Sequence, residues 1–78
     1  MKEVTLNLLN PGQTARVTRI ETGEELRQRL LSLGFTGGTY VLCLRTGPGG
    51  ASALYEVRGS MLAIRSSDGK QIFMEMAQ

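Results

Sequence analysis

The chain has 78 residues, with nine Lys and Arg against seven Asp and Glu for a formal net charge of +2, a single Cys and no His. That length supports one thin hydrophobic core and so a single domain over residues 1–78, since a domain this small buries only about 60% of the surface its unfolded chain exposes. The lack of His removes every Ser/His or Cys/His nucleophile and any imidazole base, and the basic residues, scattered singly from Lys2 to Lys70, form no phosphate-neutralising tract.

No apolar run reaches the roughly 18 residues a membrane span needs, and MKEVTLNLLN lacks the continuous apolar stretch of a signal peptide. A cytoplasmic protein is expected, and the lone Cys43, unable to form an intramolecular disulfide, fits a reducing compartment.

In chain order, VTLNLL (4–9) alternates and reads as a strand that Asn10-Pro11-Gly12 ends. ARVTRI (15–20) alternates again, with Ala15 and Val17 on one face. One helix follows over about residues 23–33. Thr22 and Glu25 have the spacing of a capping box, Leu26, Leu30 and Leu33 recur on one face, and Gly34 supplies the left-handed terminator with Phe35 behind it. The remainder reads as four strands: TYVLCLR (39–45), ALYEVRG (53–59), MLAIRS (61–66) and IFMEM (72–76), separated by GPGGAS, Gly59-Ser60 and the turn Ser67-Asp68-Gly69-Lys70. Glu56 and Arg58 mark the outer face of the second of these, so Ala53, Tyr55 and Val57 point inward, as do Leu62 and Ile64 on the next. The fold class is mainly β. Five or six short strands with tight turns and one short helix point to a small closed barrel, which removes the edges of an open sheet.

The chemistry available is sparse. Cys43 sits in an apolar strand with no neighbour to lower its pKa and reads as a small buried hydrophobe. Zinc or iron sites need clustered Cys, His or carboxylates, and only Glu24 and Glu25 are adjacent; helix capping and the helix dipole account for that pair. Glu56, Asp68 and Glu75 read as solvated strand and turn positions rather than an acid-base pair. RTGPGGASA (45–53) is rich in glycine, yet a P-loop needs Lys and Ser or Thr after its last glycine and a helix beyond, whereas here Ala51-Ser52-Ala53 leads into a strand. It reads as a hairpin tip. No catalytic residue, metal ligand or cofactor is expected.

One signal remains. Leu54 lies between polar positions on an outer face, Phe73 is on the face opposite Ile72 and Met74, and one of the faces Leu42/Leu44 or Val41/Cys43 must also point outward. Leu31 lies about 140° around the helix from Leu26, beside Arg27 and away from the core stripe. Together these form a candidate exposed apolar patch of the kind that marks protein contact.

From Leu26 to Met76 the chain resembles the FeoA family, on RQRLLSLGF (27–35) and VRGSMLAIR (57–65) above all, with GQTARVTRIETG (12–23) consistent upstream. The resemblance implies an SH3-like barrel without enzymatic activity, acting in bacterial ferrous iron uptake. It also implies a partner, the FeoB membrane transporter, engaged at its cytoplasmic GTP-binding region and able to recruit the domain to the inner face of the membrane. Arg27, Leu31, Leu54 and Phe73 are the candidate partner-binding residues. The alternative is a metal-sensing domain that binds a transition metal directly, between two copies, through Glu24, Glu25 or Asp68; a weak homo-oligomer fits either reading. The chain departs from the family pattern at Gly37-Gly38, where the family commonly reads Pro-Gly, and at Gly50-Ala51-Ser52, where it commonly reads Gly-Asp-Pro.

Overall fold

A computed structural model describes residues 3–77; Met1, Gln78 and Lys2, the first of the scattered basic residues, lie outside the described residues. Six strands, β1 (Glu3–Thr5), β2 (Thr14–Ile20), β3 (Tyr40–Thr46), β4 (Ser52–Val57), β5 (Ser60–Arg65) and β6 (Ile72–Met76), form one antiparallel sheet in the order β1-β6-β2-β3-β4-β5. Two helices accompany it, α1 (Glu24–Ser32) and the short α2 (Ser66–Gly69). The strands expected at 15–20, 39–45, 53–59, 61–66 and 72–76 are all present within two residues at each end.

Alternation puts one face of the curled sheet inside. Ala15, Val17, Val41, Cys43, Tyr55, Val57, Ile72 and Met74 are all at most 2% exposed, and Leu30 and Phe35 complete the core from the helix side. Two β-bulges shift this alternation. Val17 pairs Met74 and Arg19 pairs Phe73, leaving Thr18 as the extra residue, so Thr18 and Arg19 both face solvent while Ile20 turns back toward the core. In β3, Cys43 pairs Tyr55 and Arg45 pairs Leu54, which makes Leu44 the extra residue.

Four expectations need correction. First, only Glu3–Thr5 of the first apolar segment is a strand; Leu6–Leu8 wind into a 3-10 turn that sends Leu6 and Leu9 into the core. Second, Ser66–Gly69 is a helical turn rather than a loop.

Third, the barrel is not closed by hydrogen bonding, because no ladder joins β1 to β5 among the described residues. The seam is covered instead by α2, which packs on the 3-10 turn so closely that a Cβ on Gly69 would lie 3.1 Å from the Asn7 nitrogen. The Tyr55 hydroxyl ties the same turn to β4 by donating to the Leu6 carbonyl at 3.3 Å.

Fourth, the capping box does not form. Gly23 is the N-cap residue, and the Thr22 hydroxyl donates to the Gly23 carbonyl rather than accepting from the helix. The chain's approach to the helix is already fixed by the Glu21 amide, which donates to the Gln71 carbonyl at 2.7 Å. Glu24 and Glu25 still favour the positive end of the helix dipole.

Candidate docking surface

α1 organises the surface. Its end is a Schellman motif: the Phe35 amide donates to the Leu30 carbonyl at 2.9 Å, and the Gly34 amide to the Leu31 carbonyl at 3.1 Å. Gly34 has a φ of 104°, and the side chain of Arg58 lies across it, with Cδ 2.6 Å from where a Cβ would sit. Arg58, itself at a positive φ of 50° in the β4–β5 turn, reaches Thr39 Oγ1 at 3.4 Å. The helix end and the hairpin turn are therefore held against each other.

With Leu30 buried and Leu26 packed against the core, the helix presents two flanks. Arg27 and Leu31 lie on the first. They share a groove of about 250 Å³ with Val17–Ile20 of β2, Phe35 and Gly37, and Leu31 is half-buried in its wall. The Thr18 bulge aims Arg19 out of this same wall. Its guanidinium stacks 4.0 Å from the centroid of the Phe73 ring while pairing with Glu3 at 2.9 Å and Glu21 at 2.8 Å. Those partners hold the Arg19 pKa above its ordinary value, the hydrogen bond that Arg19 donates to Glu21 most of all. Arg27, Leu31 and Phe73 thus lie along one flank, joined through Arg19.

Leu54 is elsewhere. It lies on the outer face of β4, paired between Arg45 and Ala63, and two strands, β2 and β3, separate it from Phe73, about 14 Å across the curled sheet. Since Val41 and Cys43 are buried, the outward pair on β3 is Leu42 and Leu44. Leu42, Leu44 and Leu54 are half-buried, and Met61 stands beyond Glu56 on β5 at 67% exposure. Tyr40 extends the β3 row at 58% exposure. Met61 was absent from the candidate set although the alternation carried it, since Leu62 and Ile64 point inward; Tyr40 followed only once the structure placed Val41 and Cys43 inside. Leu8, 61% exposed, had no such signal because its segment reads as a strand.

The remaining ion pairs are isolated from one another. Arg16 pairs with Glu75, which raises the Arg16 pKa through that hydrogen bond, and Arg65 pairs with Asp68 at 3.3 Å. Glu24 accepts from Gln28 at 2.8 Å. Among the described residues no three Cys, Asp or Glu side chains come together as a metal-holding group. Cys43 is buried, and desolvation pushes its thiol pKa up. The RTGPGGASA stretch is the β3–β4 hairpin tip, in which Gly49 and Gly50 take positive φ of 68° and 73°, closed by the Gly47 amide donating to the Ser52 carbonyl at 2.7 Å.

The FeoA domain matches residues 4–76, almost the entire chain. The chain belongs to the FeoA family. An Fe(2+) transport protein A from Campylobacter jejuni is 32% identical over 69 residues, 88% of this chain and 93% of its own. Among solved structures, the FeoA protein of Chlorobium tepidum superposes with a TM-score of 0.91 at 27% identity, covering 96% of this chain and 71% of that one. FeoA of Stenotrophomonas maltophilia, complexed with zinc and described as a prokaryotic SH3 domain protein, superposes with a TM-score of 0.81 at 28% identity, over 92% and 89% of the two chains. The curled six-stranded sheet is accordingly an SH3-like fold, and FeoA proteins are small accessory components of ferrous iron transport. No helix among the described residues is long and apolar enough to cross a membrane.

Proposed function

We propose that this FeoA-family chain is a non-enzymatic adaptor of ferrous iron uptake, a single cytoplasmic domain that docks on the GTP-binding region of a FeoB-type transporter. The observation that carries this reading is the outward apolar surface. Leu31 and Arg27 frame one groove, Phe73 lies at its far side under Arg19, and Leu54 belongs to an apolar row on β3–β5. A chain this small leaves few side chains to spare from its core, so half-buried leucines on two outer faces support contact with another protein. Iron and GTP belong, in this reading, to the transporter. A pull-down with the transporter's cytoplasmic region tests it: Leu31→Asp, folded as judged by its amide spectrum, loses at least tenfold in capture, and capture equal to wild type overturns the site.

The zinc in the Stenotrophomonas maltophilia relative favours a second reading, direct metal sensing through Glu24, Glu25 or Asp68. The residues present fit it poorly, since Glu24 is held by Gln28, Asp68 by Arg65, and among the described residues no group of three ligands forms around Glu25. Calorimetric titration separates the two. The adaptor reading expects no stoichiometric ferrous iron binding below millimolar concentration, and a saturating micromolar isotherm replaces it with the sensor.

A further inference from the structure

The second flank of α1 faces a sheet edge. Val57 and Ser60 close the two-residue Arg58-Gly59 turn, whose φ values of 50° and 82° are those of a type I′ hairpin. In that geometry Ser60, Leu62 and Ile64 are the residues of β5 that exchange hydrogen bonds with β4, and the Ser66 amide continues the series by donating to the Ala51 carbonyl at 2.9 Å. The N–H groups of Met61, Ala63 and Arg65 therefore point away from β4. No other strand pairs with β5 among the described residues.

Beside this open edge stands α1, across a groove of about 440 Å³ whose apolar lining comes from Leu26, Leu30 and Leu33 on the helix and Leu62, Ala63 and Ile64 on the strand. An edge that offers a row of free donors and acceptors over an apolar floor is matched by an extended chain. A helix satisfies its own main-chain groups and leaves those of the edge unpaired.

The helix wall of the groove adds charge. Glu25 and Arg29 both line it, and neither has an oppositely charged partner within ion-pair distance among the described residues. They stand one turn apart, about 6 Å along the axis. Residues two apart on one face of a strand are separated by about 6.6 Å.

We propose that the groove between α1 and β5 receives an extended segment of the transporter's cytoplasmic region as a seventh strand. The complementary segment is apolar at the positions that face the floor and carries a basic and an acidic residue two apart, set against Glu25 and Arg29. This rests on the docking reading above and places a second contact on the helix flank opposite Leu31.

The test is amide hydrogen exchange on the full chain, alone and saturated with the cytoplasmic region of the FeoB-type transporter from the same organism, alongside binding by Ala63→Pro and Ala63→Thr. Proline removes the edge N–H without breaking a β4 bond, whereas threonine keeps it. In the complex, the Ala63 and Arg65 amides slow at least tenfold; Ala63→Pro weakens binding at least tenfold, and Ala63→Thr binds as wild type. A complex in which those two amides exchange unchanged overturns the inference and leaves docking intact, as does wild-type affinity in folded Ala63→Pro. Absence of any complex overturns both. Should Ala63→Pro not fold, the exchange rates of the unaltered chain decide.

Discussion

Tyr55 shows how much one side chain carries in a core this small. Its ring is 2% exposed, and its hydroxyl donates to the Leu6 carbonyl, joining β4 to the 3-10 turn at the seam. Burial, with the neighbouring Cys43 second, pushes its pKa from 10.0 up to about 12. The folded state then keeps a proton that the unfolded chain releases, so stability is intact below pH 10 and declines as pH rises from 10 toward 12. The Cys43 thiol, raised above 9.0 by burial, acts in the same direction from a lower pH. Tyr55→Phe should cost about 1 kcal/mol at pH 7 by removing one of the two hydrogen bonds to the Leu6 carbonyl, which also accepts from the Leu9 amide at 3.1 Å, yet lose stability less steeply than wild type between pH 10 and 12. Urea denaturation across that range checks both parts; equal slopes for the two proteins contradict the assignment.

Among the elements, α1 depends most on its C-terminal end. Gly34→Ala places a Cβ on a left-handed residue and into Arg58, which costs about 1–2 kcal/mol for the backbone alone. It should also loosen the β4–β5 turn, since Arg58 must leave its place. Thermal denaturation reads the first effect, and exchange at the Gly59 and Ser60 amides reads the second.

This end of the helix was legible in the sequence because Leu30, Gly34 and Phe35 satisfy one local hydrogen-bond pattern that no distant contact opposes. The beginning was not, although Thr22 and Glu25 are correctly spaced, because the Glu21–Gln71 bond fixes the chain direction from 50 residues away. The bulges at Thr18 and Leu44 were hidden for a related reason. An extra residue in a strand looks the same as ordinary alternation until the partner strand sets the register. Likewise Ser66–Gly69 has the composition of a turn and becomes helical only where it packs on Asn7. Of the docking candidates, the outward side of Leu54 and Phe73 followed from period two alone, whereas the link from Leu31 to Phe73 runs through Arg19 and required the tertiary fold.

At the scale of the whole molecule, a thin core is closed by packing rather than by a complete barrel ladder, and apolar side chains remain outside it on two faces. The chain has no His, and no cluster of metal-holding side chains forms among the described residues. Ferrous iron transport is the setting the family supplies, and contact with a FeoB-type transporter is the role we propose for the surface. The most direct measurement is amide chemical-shift mapping of the isotopically labelled chain during titration with the transporter's cytoplasmic GTP-binding region. The account expects saturable shifts concentrated at Arg27, Leu31, Phe73 and Leu54 and their neighbours; no shifts at saturating partner, or shifts that leave all four positions unmoved, would contradict it.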